Sequence, residues 1–452
     1  MKKVSILVSL IVLLALTTSA FAAETPMKKW TFMVFVNADN NLDRFGVLDV
    51  QEMEKAGISG DVNIIAQVDR SSGKPARRYD VTGRTAEAKA DDWGISAKNV
   101  GELGEVDMGD YKEMVNFVKF AHDNYPAEKY ILIIWNHGAG WKNKKQESPI
   151  FKGVSYDDQS GHHISTQDLG LGLAAIQGVL GQPLDILAFD ACLMQMIEVS
   201  YEIRENVKYM VASEETEPGD GWPYDLVCAP LVQNPAMTAE EFAKLIPQAY
   251  ATSYGAKGKS TTQSAVDCSK LDELANSINK LALAIKDACA ADTAEVKATK
   301  DAVTATQKYA YADNIDLAHF TQMLAQVTKN EAVKQAINDL TMVYGKAIIQ
   351  NNITGMSTKY STGMAVYFPK TSFNAKYDTI KFSKFSWDEM VKQVTSAPTV
   401  AENEAPAAPS TPSNGGYSGG GYNDYPDVYP GGWGHNFPGG FHPMPPMMLI
   451  GK

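Results

Sequence analysis

The stretch YILIIWNHGAGW, residues 130–141, contains the pattern that decides the fold. It joins a continuous apolar run, Tyr130–Trp135, to a polar loop that starts at Asn136 and His137. A short apolar run without alternating polar residues predicts a β-strand that is buried on both faces. Such strands belong to parallel sheets covered by helices, so this stretch favours an α/β fold.

Four more apolar runs have the same character: Trp30–Val36, Val62–Val68, Leu184–Phe189 and Tyr209–Ala212. Helical patterns separate them, among them a core-facing stripe at Met114, Phe117, Val118 and Ala121, and a helix that begins near Thr166 with Asp168 in its first turn. The segment Ala76–Trp93 breaks this alternation, and we interpret it as a β-hairpin insertion. The first half of the chain is therefore predicted to form a mostly parallel sheet.

The chain changes character near residue 235, where helical spacing takes over. The clearest case is the 3-4-3-4 spacing of Leu271, Leu274, Ile278, Leu281 and Ile285, which is too short for a coiled coil and predicts a packed core helix. One further strand-like run, Met364–Phe368, precedes Pro369. We therefore divide the folded chain into an α/β region, residues 23–235, and a mainly helical part, residues 236–397.

Both ends of the chain lie outside this pattern. Residues 1–22 have a basic start, an apolar run and the small-residue ending Ala20-Phe21-Ala22, which predicts a secretory signal peptide cleaved near Ala22. Residues 398–452 contain 10 of the 21 prolines and 11 of the 35 glycines, which predicts a disordered tail rich in Gly, Pro and aromatic residues. We expect a secreted protein, periplasmic or extracellular, without stable membrane insertion after signal removal.

Composition excludes two classes of protein. The 452 residues carry 41 Lys and Arg against 53 Asp and Glu, a net charge of −12, which argues against a nucleic-acid partner. Four cysteines are too few for a disulfide-built scaffold. Cys228, Cys268 and Cys289 allow at most one disulfide, and their spacing does not select a pair.

Two residues with catalytic potential follow predicted strands. His137 comes directly after one strand, and Cys192 comes directly after another, in LAFDACLM. In an open parallel sheet, catalytic groups gather at the carboxyl ends of the strands. A thiol near a helix N-terminus and an imidazole would suit nucleophilic catalysis, and the backbone N–H of Gly138 could serve an oxyanion hole.

Each of these residues also has a plainer interpretation. A lone cysteine is more often a small buried hydrophobe, and a lone loop histidine is usually held by structural hydrogen bonds. Their shared position at the ends of two strands makes the pair the better hypothesis. His162 and His163 lie beside Asp157 and Asp158 without the further ligands of a zinc site, so we interpret that segment as a solvated loop.

Four segments together resemble the clostripain-like cysteine peptidases: WNHGAGW, FDACLMQMIEVSYE, ASEETEPGDGWPY and STGMAVYFP. His-Gly followed about 50 residues later by Asp-Ala-Cys is also the spacing of base and nucleophile in caspase-like enzymes. The resemblance covers roughly residues 28–395. It implies a caspase-like α/β/α sandwich, with His137 and Cys192 as the catalytic pair.

The resemblance also implies substrates and further site residues. A preference for Arg and Lys before the cleaved bond implies acidic residues in the substrate pocket, which match Asp190 and Asp220. The neighbouring Glu214, Glu215 and Glu217 fit solvated surface acids better. Because relatives are activated by cleavage after the His-containing strand, Lys144, Lys145 and Lys152 are candidates for self-cleavage.

No organic cofactor is implied. Some relatives depend on calcium, and the acidic loops offer oxygen ligands, but no EF-hand spacing is present and the metal requirement stays open. The expected partners are peptides or proteins with basic residues, and the sequence gives no prediction of oligomeric state. A second hypothesis, from another class, is a secreted binding or adhesion protein that uses the same scaffold and the aromatic tail.

Overall fold

A computed structural model of the chain describes residues 27–71, 73–141 and 153–398. The predicted signal peptide, the tail from residue 399 and the candidate cleavage residues Lys144, Lys145 and Lys152 lie outside these ranges. The described strands are β1 Lys28–Ala38, β2 Val62–Arg70, β3 Ala76–Asp80, β4 Lys98–Gly104, β5 Ala127–Trp135, β6 Leu184–Asp190, β7 Val207–Ala212, β8 Thr261–Asp267, β9 Asn314–Asp316, β10 Ile348–Thr354 and β11 Ala365–Tyr367. The helices are α1 Asp43–Glu54, α2 Tyr111–Asn124, α3 Thr166–Leu180, α4 Ile197–Ile203, α5 Tyr224–Gln233, α6 Ala239–Ala256, α7 Leu271–Ala291, α8 Thr293–Ala305, α9 Leu317–Val327, α10 Glu331–Ala347 and α11 Trp387–Ser396.

Nine of the described strands form one sheet in the order β10-β8-β7-β6-β5-β1-β2-β3-β4. The five strands predicted from apolar runs (β1, β2, β5, β6 and β7) are parallel and central, and the antiparallel pairs β3–β4 and β8–β10 flank them. The α/β class and the mostly parallel sheet are therefore confirmed. β9 and β11, the latter within the predicted run 364–368, form a separate two-stranded sheet.

Helices cover both faces of the sheet. Alternate residues of β1 point to opposite faces of the sheet and so belong to two different hydrophobic cores. Phe32 and Val34 pack with α1, α5 and α6, and Met33 and Phe35 pack on the opposite face. Two-sided burial is the reason that the central strands are continuous apolar runs. Among the described helices, none is both long and apolar enough for a membrane span.

One prediction about the strands was wrong. The hairpin does not lie within residues 76–93, because β3 pairs with β4, which begins only at Lys98, and residues 81–97 connect them. The part after residue 235 is mainly helical, but it contributes β8 and β10 to the central sheet. β8 has the sequence TTQSAVD, which lacks the apolar run expected of a buried strand. Its polar side chains can be buried because they form hydrogen bonds, as those of Thr262 and Ser264 do.

Candidate active site

His137 and Cys192 lie at the same edge of the sheet. β5 and β6 are parallel neighbours in which Trp135 pairs with Asp190, so both candidate residues lie two positions beyond that pair. The ladder continues past the strand ends, because the Asn136 N–H donates to the Asp190 carbonyl over 3.1 Å. The structure thus brings together the two residues that the sequence predicted.

The loops that carry them are in direct contact at Gly138. A Cβ atom built on Gly138 would lie 2.3 Å from the Cys192 carbonyl oxygen and 3.1 Å from the Cys192 nitrogen. Only glycine allows this approach without displacing backbone. Among the described residues, the Gly138 N–H has no hydrogen-bond acceptor, which leaves it available for an oxyanion.

The His137 imidazole is partly enclosed and contacts the loop after β1. Its Nε2 lies 2.7 Å from Oδ1 of Asn41, in the loop after β1, a residue that the sequence did not single out. An amide oxygen only accepts, so in this arrangement Nε2 carries the proton and Nδ1 is the basic nitrogen. Burial lowers the pKa of His137, and the charge of Asp158 opposes that shift, so the ring is neutral at pH 7.

The Cys192 thiol lies in a turn and not at a helix N-terminus. The next helix, α4, begins only at Ile197. The polar contact that favours a thiolate comes instead from the Glu217 N–H, which donates to Sγ over 3.2 Å. Burial outweighs it and raises the pKa of the Cys192 thiol, which favours the neutral form.

Asp190 is the last residue of β6, two positions before Cys192. Its carboxylate accepts hydrogen bonds from the Trp222 N–H (3.1 Å) and the Tyr224 hydroxyl (3.0 Å). Burial raises the pKa of Asp190 to about 6. Gly221, with φ +62°, brings the backbone close to this carboxylate, and a side chain there would be strained.

A second acid beside Asp190 was missed by the sequence interpretation. Glu217 was assigned to the solvated surface, but its Oε2 is buried, its Oε1 accepts from Gln263 over 3.2 Å, and its carboxyl interacts with that of Asp190. Burial and the charge of Asp190 raise the pKa of Glu217 well above its usual range. No signal in the sequence separates Glu217 from its neighbours, because Gln263 lies on a strand 46 residues away.

Glu214 was also wrongly assigned to the surface. It is 1% exposed, and it contacts the Tyr309 hydroxyl (2.8 Å) and the Gly363 N–H (3.1 Å). Asp220, in contrast, is 65% exposed, and its carboxylate lies 3.4 Å from the Lys257 amine. The structure therefore places Asp190 and Glu217 together and leaves Asp220 at the surface.

The remaining histidine and cysteine residues do not join this site. His162 is exposed and contacts the Asp107 carboxylate, as expected for a solvated loop. Cys228, Cys268 and Cys289 are buried free thiols, so the described residues contain no disulfide.

The fold and this site define a class of α/β proteins that place a histidine and a cysteine at the carboxyl ends of adjacent parallel strands. The Clostripain family model matches residues 34–393, most of the described chain. The protein therefore belongs to the clostripain family of cysteine peptidases.

Individual relatives agree with this assignment. The chain is 30% identical to clostripain of Hathewaya histolytica over 220 residues, which span 44% of this chain and 41% of that protein. A secreted C11 cysteine protease from Bacteroides thetaiotaomicron, solved with an irreversible peptide inhibitor, has a TM-score of 0.58 at 22% identity and covers 80% of this chain and 99% of its own. An inactive zymogen C11 protease from Parabacteroides distasonis has a TM-score of 0.59 at 17% identity, with coverage of 79% and 98%. At these identities the two structures support the fold.

Proposed function

We propose that this protein is a secreted cysteine endopeptidase that cleaves peptide bonds after Arg and Lys. The observation that carries the proposal is the contact of the His137 and Cys192 loops through Gly138 at one edge of the sheet. Family membership supports the same activity. The basic preference is supported by the two buried acids beside the thiol and by the similarity to clostripain.

The residues divide the chemistry between them. Cys192 Sγ attacks the substrate carbonyl carbon, and His137 takes the thiol proton and then delivers it to the leaving amine. The Gly138 and Cys192 N–H groups hold the negative oxygen of the tetrahedral intermediate. Water, deprotonated by His137, then hydrolyses the thioester and restores the free thiol.

The substrate's basic side chain is proposed to enter beside Asp190. A guanidinium forms two parallel hydrogen bonds with a carboxylate, which an ammonium cannot do, so Arg should be preferred over Lys. The Glu217 carboxyl beside Asp190 supplies a second acceptor, and Asp220 offers a weaker, exposed one. The enclosed acids should contribute most, because solvent screens an exposed pair.

Activation is proposed to follow self-cleavage at Lys144, Lys145 or Lys152. Both ends of that segment are anchored, because Gly138 bridges Val154 and the Ala139 N–H donates to the Gly153 carbonyl over 2.9 Å. A cut would therefore leave the site attached on both sides. The raised pKa of the Cys192 thiol is compatible with an unprocessed enzyme. The C11 protease from Parabacteroides distasonis, which has a similar fold, is described as an inactive zymogen.

Three variants test the proposal. Cys192→Ala and His137→Ala should each abolish hydrolysis of an Arg-containing peptide, and the double variant should be hardly worse, because the two residues act as a unit. Cys289→Ala, a cysteine remote from the site, is the matched control and should keep its activity. Substantial hydrolysis by Cys192→Ala would refute the peptidase mechanism, and labelling of Cys192 by an Arg chloromethylketone would support it.

Export is tested separately. N-terminal sequencing of secreted protein should return Ala23 as the first residue, in accordance with the Ala20-Phe21-Ala22 ending of the predicted signal. A mature chain that begins at Met1 would contradict the signal peptide.

A further inference from the structure

A third buried carboxyl lies beside Asp190, and it comes from a distant part of the chain. Asp49 is on α1, the helix that follows β1, and it is 3% exposed. A Cβ atom built on Gly221 would lie 3.2 Å from Oδ2 of Asp49 and 3.1 Å from Oδ2 of Asp190. The two carboxyl groups therefore approach the Gly221 backbone at one common point.

Asp49 accepts one hydrogen bond within the described chain. Its Oδ2 accepts from the Trp135 indole N–H over 2.6 Å, and Trp135 is the last residue of β5. Burial and the charge of Asp190 raise the pKa of Asp49 well above its usual range. A carboxylate offers about four lone-pair sites, so Asp49 keeps most of its acceptor capacity for another partner.

The described chain offers no cation to these acids. Asp49 and Asp190 are buried, and the Glu217 carboxyl lies beside Asp190. Within the described ranges, none of the three forms an ion pair with a lysine or arginine; Lys257 contacts the exposed Asp220 instead. Clustered buried acids are costly without a cation, and a positively charged side chain of a substrate would relieve that cost.

We propose that Asp49 is a specificity-determining residue of this pocket, where it binds the substrate's guanidinium together with Asp190 and favours Arg over Lys. The inference rests on the proposed function, which places the basic side chain beside Asp190. A guanidinium carries five N–H donors in a planar fork, whereas an ammonium carries three on one atom. Oδ2 of Asp190 already accepts from Trp222 and Tyr224, so a second carboxylate is needed to satisfy the remaining donors of the guanidinium.

A purely structural role for Asp49 makes a different prediction. In that role Asp49 would only hold Trp135, and the amide oxygen of an asparagine would hold it equally well. Asp49→Asn therefore keeps this hydrogen bond while it removes the charge and one acceptor oxygen. Only a role in substrate binding predicts that this variant changes the preference between two basic side chains.

The test compares kcat/KM of the processed enzyme on matched peptides with Arg, Lys or Gln before the cleaved bond. Asp49→Asn should lower the ratio of Arg to Lys at least about tenfold. Glu52→Gln is the matched control, because Glu52 is an acid on the same helix, three positions further on, and is partly exposed. This control should keep the parent's ratio of Arg to Lys.

Two outcomes of this comparison have different meanings. If the parent prefers Arg but Asp49→Asn has the parent's ratio of Arg to Lys, the role of Asp49 is refuted and the proposed function stands. If the parent prefers neither Arg nor Lys over Gln, the proposed basic specificity is itself refuted, and the role of Asp49 with it.

A second measurement does not depend on the folding of a variant. A crystal structure of the parent enzyme labelled at Cys192 by an Arg chloromethylketone should place a guanidinium nitrogen within about 3.2 Å of an Asp49 carboxylate oxygen. A guanidinium that contacts Asp190 but lies beyond hydrogen-bond distance of Asp49 would overturn the proposal and leave the proposed peptidase activity intact.

Discussion

At the scale of single residues, burial determines the protonation of the candidate catalytic pair. The pKa of Cys192 is raised and that of His137 is lowered, both mainly by loss of solvent. Both shifts favour the neutral forms of the thiol and the imidazole. We therefore expect the reactivity of Cys192 to rise with pH.

The first prediction concerns this thiol. In uncleaved protein, the rate of Cys192 alkylation by iodoacetamide should rise about tenfold per pH unit from pH 7 to pH 9, because only the thiolate reacts. Mass spectrometry of the labelled peptide measures it, with the buried Cys268 as an internal reference. A rate that is high and constant from pH 6 upward would show a preformed ion pair instead.

The second prediction concerns the buried acids. Asp190→Asn keeps an oxygen for Trp222 and Tyr224 but removes the charge, so the preference for Arg over Gln should fall by about 2–5 kcal/mol, or roughly 30- to 5,000-fold in kcat/KM. Glu217→Gln should act in the same direction. Asp220→Asn, at an exposed position, should change it by about 0–1 kcal/mol. If Asp220→Asn has the largest effect, the basic side chain binds at the surface loop.

The same acids predict a pH dependence. Burial raises the pKa of Asp190 to about 6, so below pH 6 this carboxyl is largely protonated in the free enzyme, and burial raises the pKa of Glu217 well above its usual range. The preference for Arg over Gln should therefore increase between pH 5 and pH 8. Ratios of kcat/KM at each pH measure this, since effects on the catalytic pair cancel. A ratio that is constant with pH would contradict binding by these acids.

At the scale of elements, two buried acids of α4, Glu198 and Glu202, accept hydrogen bonds from the C-terminal part of the chain. Glu198 accepts from the Tyr367 N–H (2.9 Å) and the Tyr377 hydroxyl (3.1 Å), and its Oε2 has no partner among the described residues. Burial raises the pKa of Glu198 to about 7. The folded state therefore binds more protons than the unfolded state between about pH 4.5 and pH 7.

This excess of bound protons predicts the sign of a stability change. The free energy of unfolding should fall as the pH rises through that window, by about 3 kcal/mol for this group. Glu198→Gln cannot ionise, so between pH 5 and pH 8 it should lose about 2–3 kcal/mol less than the wild type in urea unfolding. Glu205→Gln, an exposed acid just after α4, is the control. Parallel pH profiles for the wild type and Glu198→Gln would show that Glu198 does not ionise on unfolding.

At the scale of the whole molecule, one sheet runs through both halves of the chain. The candidate cleavage segment, residues 142–152, separates β1–β5 from β6–β11, but β5 and β6 are adjacent parallel strands. The α/β region also depends on the mainly helical part for its sheet, because β7 pairs with β8. The chain thus contains no natural break at residue 235.

This arrangement predicts that a cleaved chain stays together. Denaturing mass spectrometry of active protein should find two fragments that meet within residues 142–152, whereas size exclusion should give a single species of unchanged size. Cys192→Ala should remain one intact chain. Separate fragments under native conditions would contradict the continuity of the sheet, and full activity of an uncleaved chain would remove processing from the mechanism.

The sequence by itself determined the central strands and the position of the candidate pair. Apolar runs such as Tyr130–Trp135 need burial on both faces, and parallel strands bring their carboxyl ends to one edge, so His137 and Cys192 are placed by local pattern alone. The family resemblance came from the short motifs around these two residues. These features depend on residues that are close together in the chain.

Only the tertiary structure decided which acids are buried and what surrounds the thiol. Glu217 and Asp220 lie three positions apart in one loop, but Glu217 faces Asp190 and Gln263, whereas Asp220 faces solvent and Lys257. The polar strand β8 is buried because β7 and β10 pair with its edges and helix α6 packs against one of its faces. Burial and like charge arise from contacts between distant parts of the chain, and these contacts set the pKa values of the site.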